Sequence, residues 1–348
     1  MADEIKSTEL TDDILLLNRD VEHLVIQAGA KRCPGLGFDD KYDILQFVHF
    51  SDIHYRTANW NRVIRYINHY SDYFDFALHS GDFVGHNQDF YVDLYNEGDP
   101  CKKVIYNCVG NHDTYATDMS LADKAVTKSL IFTKTDDWDV VYCDCEASMT
   151  YYKDFPKANV RMIVLDIYYS IPEQQQWLAE VLEDARQKGL CVFTVSHEPT
   201  GYIQDTFHSN FYSMNNFNAN HQKEFPGFVE PEYDYFNRPL FEKVIADFIA
   251  KGGIHICHLA GDHHHDGFGT SKLGVVNSIV PCAMCLRNWC DGNRVFGTKT
   301  QDCFNVVSID TNLGLFKIVR VGDNFDNHLR SRTALCFDYI NKKVISSF

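Results

Sequence analysis

Residues 42–54 read YDILQFVHFSDIH, a run of Ile44, Leu45, Phe47, Val48 and Phe50 broken at once by Ser51, Asp52 and His54. A short apolar run that stops at polar residues reads as a buried strand. Downstream of it the chain keeps a rhythm. Residues 59–71, NWNRVIRYINHYS, have helical spacing; 74–82, FDFALHSGD, form a second strand and 102–113, KKVIYNCVGNHD, a third. Helical spacing returns near 88–96 and over 119–132, with strands expected at 137–144 and 149–155. Then come a strand at 158–168, a helix at 172–189 opened by Pro172 and stopped by Gly189, a strand at 190–199, a helix at 239–253 and a strand at 254–262. Buried strands alternating with helices specify an α/β fold. Three further strand-like runs, 274–283, 303–321 and 333–348, form a strand-rich tail, expected to build a second sheet packed on the first.

Five of the strands end in metal-binding residue types. HFSDIHY supplies Asp52 and His54, HSGD supplies Asp82, and VGNHD supplies Asn111, His112 and Asp113. VSHEP supplies His197, and AGDHHHDG supplies residues 262–266. A single histidine at a strand end is usually structural. Five ordered clusters are not, because ligands of open α/β sheets collect at the carboxyl ends of strands. Carboxylates, imidazoles and one amide suit Mn, Fe or Zn, and no cysteine enters the clusters. The ligands exceed what one ion needs, so two ions sharing a carboxylate is the economical reading.

In order and spacing these motifs resemble the calcineurin-like metallophosphoesterase superfamily: D-x-H at Asp52 and His54, G-D at Gly81 and Asp82, G-N-H-D at residues 110–113, a lone His197, and a G-x-x-H at Gly261 to His264. The resemblance implies a four-layer α/β/β/α sandwich of two mixed sheets flanked by helices. It implies a first metal on Asp52, His54, Asp82 and His264, and a second on Asp82, Asn111, His197 and residue 262. It further implies hydrolysis of a phosphomonoester or phosphodiester by a metal-bridging hydroxide, with His112 protonating the leaving oxygen or holding the phosphoryl group. Asp113 is expected to fix the loop.

The sequence departs from that pattern at Asp262, where the family carries histidine. Three accounts stand: the carboxylate coordinates and favours a harder ion such as Mn or Mg at the second position; His263 or His265 takes its place; or the second position fills only with substrate. The first is preferred, since His264 and Asp266 keep the register. The run GDFVGHN places Gly85 and His86 where the protein-phosphatase branch has a second aspartate and an arginine, which favours small substrates; His86 or Asn87 would then contact phosphate. Asp166, closing RMIVLD, either orients the site or caps its strand. His49, His79, His255 and His258 are expected in core or supporting roles. Cys282, Cys285, Cys290 and Cys303 read as core rather than as a zinc knuckle.

The 348 residues and 45% hydrophobic content allow a sizeable core. Residues 1–40 are expected to be an N-terminal helical extension, with 11–32 in helical spacing, and 41–348 one domain. The irregular stretch 198–237 is expected to be an ordered lid. A net charge of −16 without a Lys/Arg cluster disfavours bulk nucleic-acid or membrane binding. The partner expected is a small phosphorylated substrate. A nuclease of the same fold and a non-catalytic scaffold are the competing readings. No signal-peptide pattern or membrane-length apolar run is seen, so the 12 cysteines are expected to be reduced and the compartment cytoplasmic.

Overall fold

The computed structural model describes residues 41–54, 57–83, 98–114, 139–144, 149–167, 172–200, 203–205, 238–262, 264, 267–280, 282–283, 302–322 and 334–347. The expected N-terminal helix, the expected helices near 88–96 and 119–132, and His86, Asn87 and Asp266 lie outside them.

The opening stretch forms β1 (Leu45–Phe50), buried along its whole length. It is followed by α1 (Thr57–His69), β2 (Phe76–His79), β3 (Ile105–Asn107) and the helical turn α2 (Asn111–Thr114). Next come β4 (Val141–Tyr142), β5 (Tyr151–Phe155), β6 (Val160–Val164), α3 (Pro172–Lys188), β7 (Cys191–Val195) and β8 (Ile203–Asp205). The chain then gives α4 (Arg238–Ala250), β9 (Ile254–Ala260), β10 (Gly267–Ser271), β11 (Val276–Ile279), β12 (Cys303–Asp310), β13 (Leu315–Gly322), β14 (Ala334–Asp338) and β15 (Lys343–Ser347).

These strands make two mixed sheets. The first has the order β15-β14-β13-β12-β1-β2-β3, the second β4-β5-β6-β7-β9-β11-β10-β8. The expectation that the tail builds the second sheet is corrected. Of the tail's three runs, 274–283 does enter the second sheet as β11, but 303–321 and 333–348 complete the first, because β12 pairs antiparallel with the free edge of β1, Leu45 opposite Ile309. The second sheet comes from the middle of the chain. Two of the tail's runs also split into hairpins. At each turn an aspartate takes the next backbone N–H groups: Asp310 accepts from Asn312 and Leu313, and Asp338 from Ile340 and Asn341. Residues 203–205, expected within an irregular lid, pair as β8 with β10. The remainder of that lid, apart from residues 198–200, lies outside the described residues.

The sheets pack face to face through aromatic rings. Phe47 of β1 stacks on Phe193 of β7 at 5.5 Å, and Phe268 of β10 on Phe316 of β13 at 6.3 Å. On the outer side of the first sheet, Trp60 of α1 meets Phe50 and Phe83. Helices α3 and α4 pack together over β7 and β9. The result is helix, sheet, sheet, helix. Strands β1, β2 and β3 run parallel, as do β6, β7, β9 and β11, so their carboxyl ends converge on one rim.

Candidate metal centre

Three of the expected motifs leave their strands at that rim through strained backbone. Asp52, His54, Asp82, Asp262 and His264 all have positive φ, between 45° and 63°. Aspartate and histidine tolerate the left-handed region better than most residues, yet it still costs energy and persists only where surroundings enforce it. Here they do. The Asp52 N–H donates to the Gly81 carbonyl and the His54 N–H to the Asp82 carbonyl, locking the first two loops together. Asp113 is fully buried; its Oδ2 accepts the N–H groups of Asp82 and Gly110 at 3.0 and 2.8 Å, which ties the second and third loops to each other. The close approach demands glycine: a Cβ on Gly110 would overlap the Asp82 carboxylate, and one on Gly81, at φ +107°, the His197 ring.

The side chains converge. Asp52 Oδ1 is buried and makes no hydrogen bond. It faces three imidazole Nε2 atoms, of His264 at 3.3 Å, His54 at 3.8 Å and His197 at 4.0 Å. Asp82 faces both ways. Its Oδ2 lies 3.7 Å from His54 Nε2 and 3.9 Å from His112 Nε2, and its Oδ1 3.3 Å from His197 Nε2. Three triads have ligand atoms close enough to share an ion: Asp52, His54 and His264; His54, Asp82 and His112; and Asp52, Asp82 and His197. A buried carboxylate oxygen with no donor, ringed by imidazoles, is costly unless a cation fills the gap, so the donor set fits divalent metal.

The electrostatics agree. Burial pushes the Asp82 carboxyl up to about 7, against the pull of His197. Burial alone would also raise Asp52, but the imidazoles of His264, His197 and His54 hold it below the usual carboxylate range. Burial holds His54 down at about 3. It opposes charge on His197 too, but Asp82 and Asp262 overcome it and hold that imidazole well above its ordinary value. The His197 Nδ1–H donates to the Ser80 carbonyl at 2.7 Å, which points Nε2 into the cluster.

Asp262 Oδ1 lies 3.5 Å from His197 Nε2, and its N–H donates to Asp52 Oδ2 at 3.2 Å. It reaches the His197 side of the cluster without joining a triad. His112 is the more open member, its side chain 18% exposed at the rim. The backbone of Asn111 opens α2 beside His112; its side chain lies outside the described residues. Asp166 stands apart from the triads: it accepts the Met149 N–H, while its own N–H and carbonyl meet Thr150 and Gln174. Cys282 donates its Sγ–H to the Asp52 carbonyl, while Cys101, Cys108, Cys191, Cys257 and Cys336 are free thiols. The Ser80 carbonyl and the close packing at Gly81 and Gly110 were not anticipated from the sequence. Backbone acceptors carry no sequence signal, though S-G-D and G-N-H-D mark where they fall.

The α/β sandwich thus gathers shared carboxylates and imidazoles at its strand ends, a donor set for divalent metal. The calcineurin-like phosphoesterase family matches residues 45–224, and this chain belongs to it. No curated protein matches the chain by sequence. Among solved structures, a dimetal phosphatase from Danio rerio is similar at 14% identity and a TM-score of 0.53, covering 80% of this chain and 96% of that one. The anchor in the inner membrane complex of Plasmodium follows at 11% identity and a TM-score of 0.42, covering 88% of each chain. A conserved protein from Streptococcus pneumoniae described as a predicted phosphoesterase has 13% identity and a TM-score of 0.32, covering 80% and 90%. The first of these shares the fold.

Proposed function

We propose that the chain hydrolyses a small phosphomonoester or phosphodiester with two divalent ions bound at the rim. The observation that supports this best is Asp82, a buried carboxylate with one oxygen facing His54 and His112 and the other facing His197. In this reading Asp52, His54 and His264 complete the first position, and Asn111, His197 and Asp262 the second. Two bound ions supply a water of lowered pKa and neutralise charge on the phosphoryl oxygens. The chain's part is to orient and to move a proton. His112, at the open edge, holds the phosphoryl group or protonates the leaving oxygen from Nε2. Asp113 keeps the Asp82 and Gly110 backbones fixed during the reaction. The ions are Mn, Fe or Zn, with Mg admitted beside the Asp262 carboxylate.

Among the described residues no helix is long and apolar enough to cross a membrane. The free thiols of Cys108, Cys191 and Cys257 fit a reducing cytoplasm. The net charge of −16 argues for a small substrate over nucleic acid.

Metal-stripped protein, refilled with Mn, Fe, Zn or Mg, is assayed on a chromogenic phosphodiester, a phosphomonoester and a short oligonucleotide. Metal-dependent turnover of a small ester is expected. Turnover of the oligonucleotide alone would make the protein a nuclease, and silence with only one tightly held metal would make it a scaffold with a degenerate site. Asp262→His is expected to move the preferred metal from Mn or Mg toward Zn, by roughly tenfold in competition binding; an unchanged preference would remove Asp262 from the second position.

A further inference from the structure

Behind the rim, the second sheet holds a buried polar chain that the reaction does not touch. Strands β7 and β9 pair with Val192 opposite His255 and Thr194 opposite His258, so one intervening residue on β7 faces two on β9. Strand alternation would send His255 and His258 to opposite faces. The bulge brings both onto Thr194, a re-aiming that bulges provide beside functional sites. His255 Nε2 lies 3.0 Å from Thr194 Oγ1, and His258 Nδ1 2.8 Å from the same oxygen. On the other side of the ring, His258 Nε2 lies 2.8 Å from Ser196 Oγ. Ser196 Oγ–H donates to the Glu198 carbonyl at 2.6 Å.

One end fixes every proton. The Glu198 carbonyl only accepts, so the single Ser196 hydroxyl proton is committed to it. Ser196 Oγ must then accept from His258 Nε2–H. Burial keeps His258 neutral, pushing it down to about 3, so its Nδ1 is bare and accepts the Thr194 hydroxyl proton. Thr194 Oγ1 in turn accepts His255 Nε2–H. The chain therefore runs in one direction, from His255 to the Glu198 carbonyl, and it grips residues 196 and 198. Between them stands His197. Its ring is held from the other sheet by Ser80, and the far side of the turn by Asn277, which accepts the N–H and hydroxyl of Thr200.

We infer that His258 is a positioning residue: through Thr194 and Ser196 it sets the turn that carries His197, and so controls the second metal position while leaving the first alone. The loop that carries His264 of the first position meets this turn through backbone alone, the Gly261 N–H donating to the His197 carbonyl at 2.7 Å. The inference rests on the two-metal reading above, and the test separates the two.

Mn is titrated into metal-free protein and followed by calorimetry and by electron paramagnetic resonance, which tells a coupled pair from an isolated ion. Wild type is expected to take two ions. His258→Leu cuts the chain and is expected to weaken the second ion by roughly tenfold to a hundredfold, the usual size of a lost supporting partner. The isolated-ion signal should then replace that of the pair, with the first affinity unchanged. His258→Gln, whose amide accepts at one end and donates at the other, is expected to restore the pair. Ser196→Ala removes one link with little change of volume and should act in the same direction if His258→Leu folds poorly. Equal weakening of both ions, or none, in His258→Leu and Ser196→Ala would overturn the inference. A wild type that takes one ion would overturn the two-metal reading itself, and this inference with it.

Discussion

Aspartates do opposite work at the two ends of this molecule. At the far end, Asp310 and Asp338 each take two backbone N–H groups within a hairpin turn. At the rim, Asp52 Oδ1 takes none and is buried among imidazoles, while burial lifts Asp82 to about 7. Residue type is the same; what differs is whether the chain completes the oxygen's bonding. A cap is finished by its own turn. A ligand is left unfinished by loops that are themselves held rigid, which is how five rim residues come to sit at positive φ.

The contrast is broken most forcefully at Asp82. Asp82→Asn is expected to abolish metal-dependent ester hydrolysis, by roughly a thousandfold or more, on the order of losses at catalytic groups that act as a unit, with loss of bound metal by elemental analysis. Retained metal and activity would mean that the carboxylate is only structural. Gly110→Ala comes next. Its methyl would meet the Asp82 carboxylate, so a loss of roughly 1–3 kcal/mol in denaturant unfolding and weaker metal binding are expected. An unaffected variant would show that the loops have slack.

The buried histidines sharpen the comparison through pH. His255 and His258 are held near 3 by burial against an ordinary 6.5. The unfolded chain then binds more protons than the folded one between those values. Stability in metal-free protein should therefore fall as pH drops from 6.5 toward 3, by at most about 1.4 kcal/mol per pH unit for each histidine. His255→Gln should flatten that slope relative to wild type in urea unfolding; parallel slopes would contradict the assignment. Smallest is the cap: Asp310→Ala is expected to cost about 1 kcal/mol and leave metal binding untouched. A loss of metal there would erase the distinction between the two ends.

Much of this was legible in the chain. Each strand of the rim could be read from an apolar run ending in Asp, His or Asn, because a parallel sheet buries its strands on both faces and exposes only their ends. Helix α3 was bounded by Pro172 and Gly189, residues whose backbone preferences are local. Sheet membership was not legible. Residues 303–321 and 333–348 read as strands of either sheet, and only the long-range pairing of Leu45 with Ile309 assigns them to the first. The short β8 and β10 carry weak apolar signals and exist through pairing, β10 along β11 and β8 on the outer edge of β10. At the site, the ligand residues could be named from motif order. The Ser80 carbonyl, the bulge in β9 and the grip on His197 could not, since they depend on backbone geometry that residue identity does not encode.

The most direct test of the central claim is an anomalous difference map from crystals soaked in Mn. The account predicts two peaks about 3.5–4 Å apart, one on each side of the Asp82 carboxylate. A single peak away from Asp82, or none at full occupancy of the soak, would contradict it.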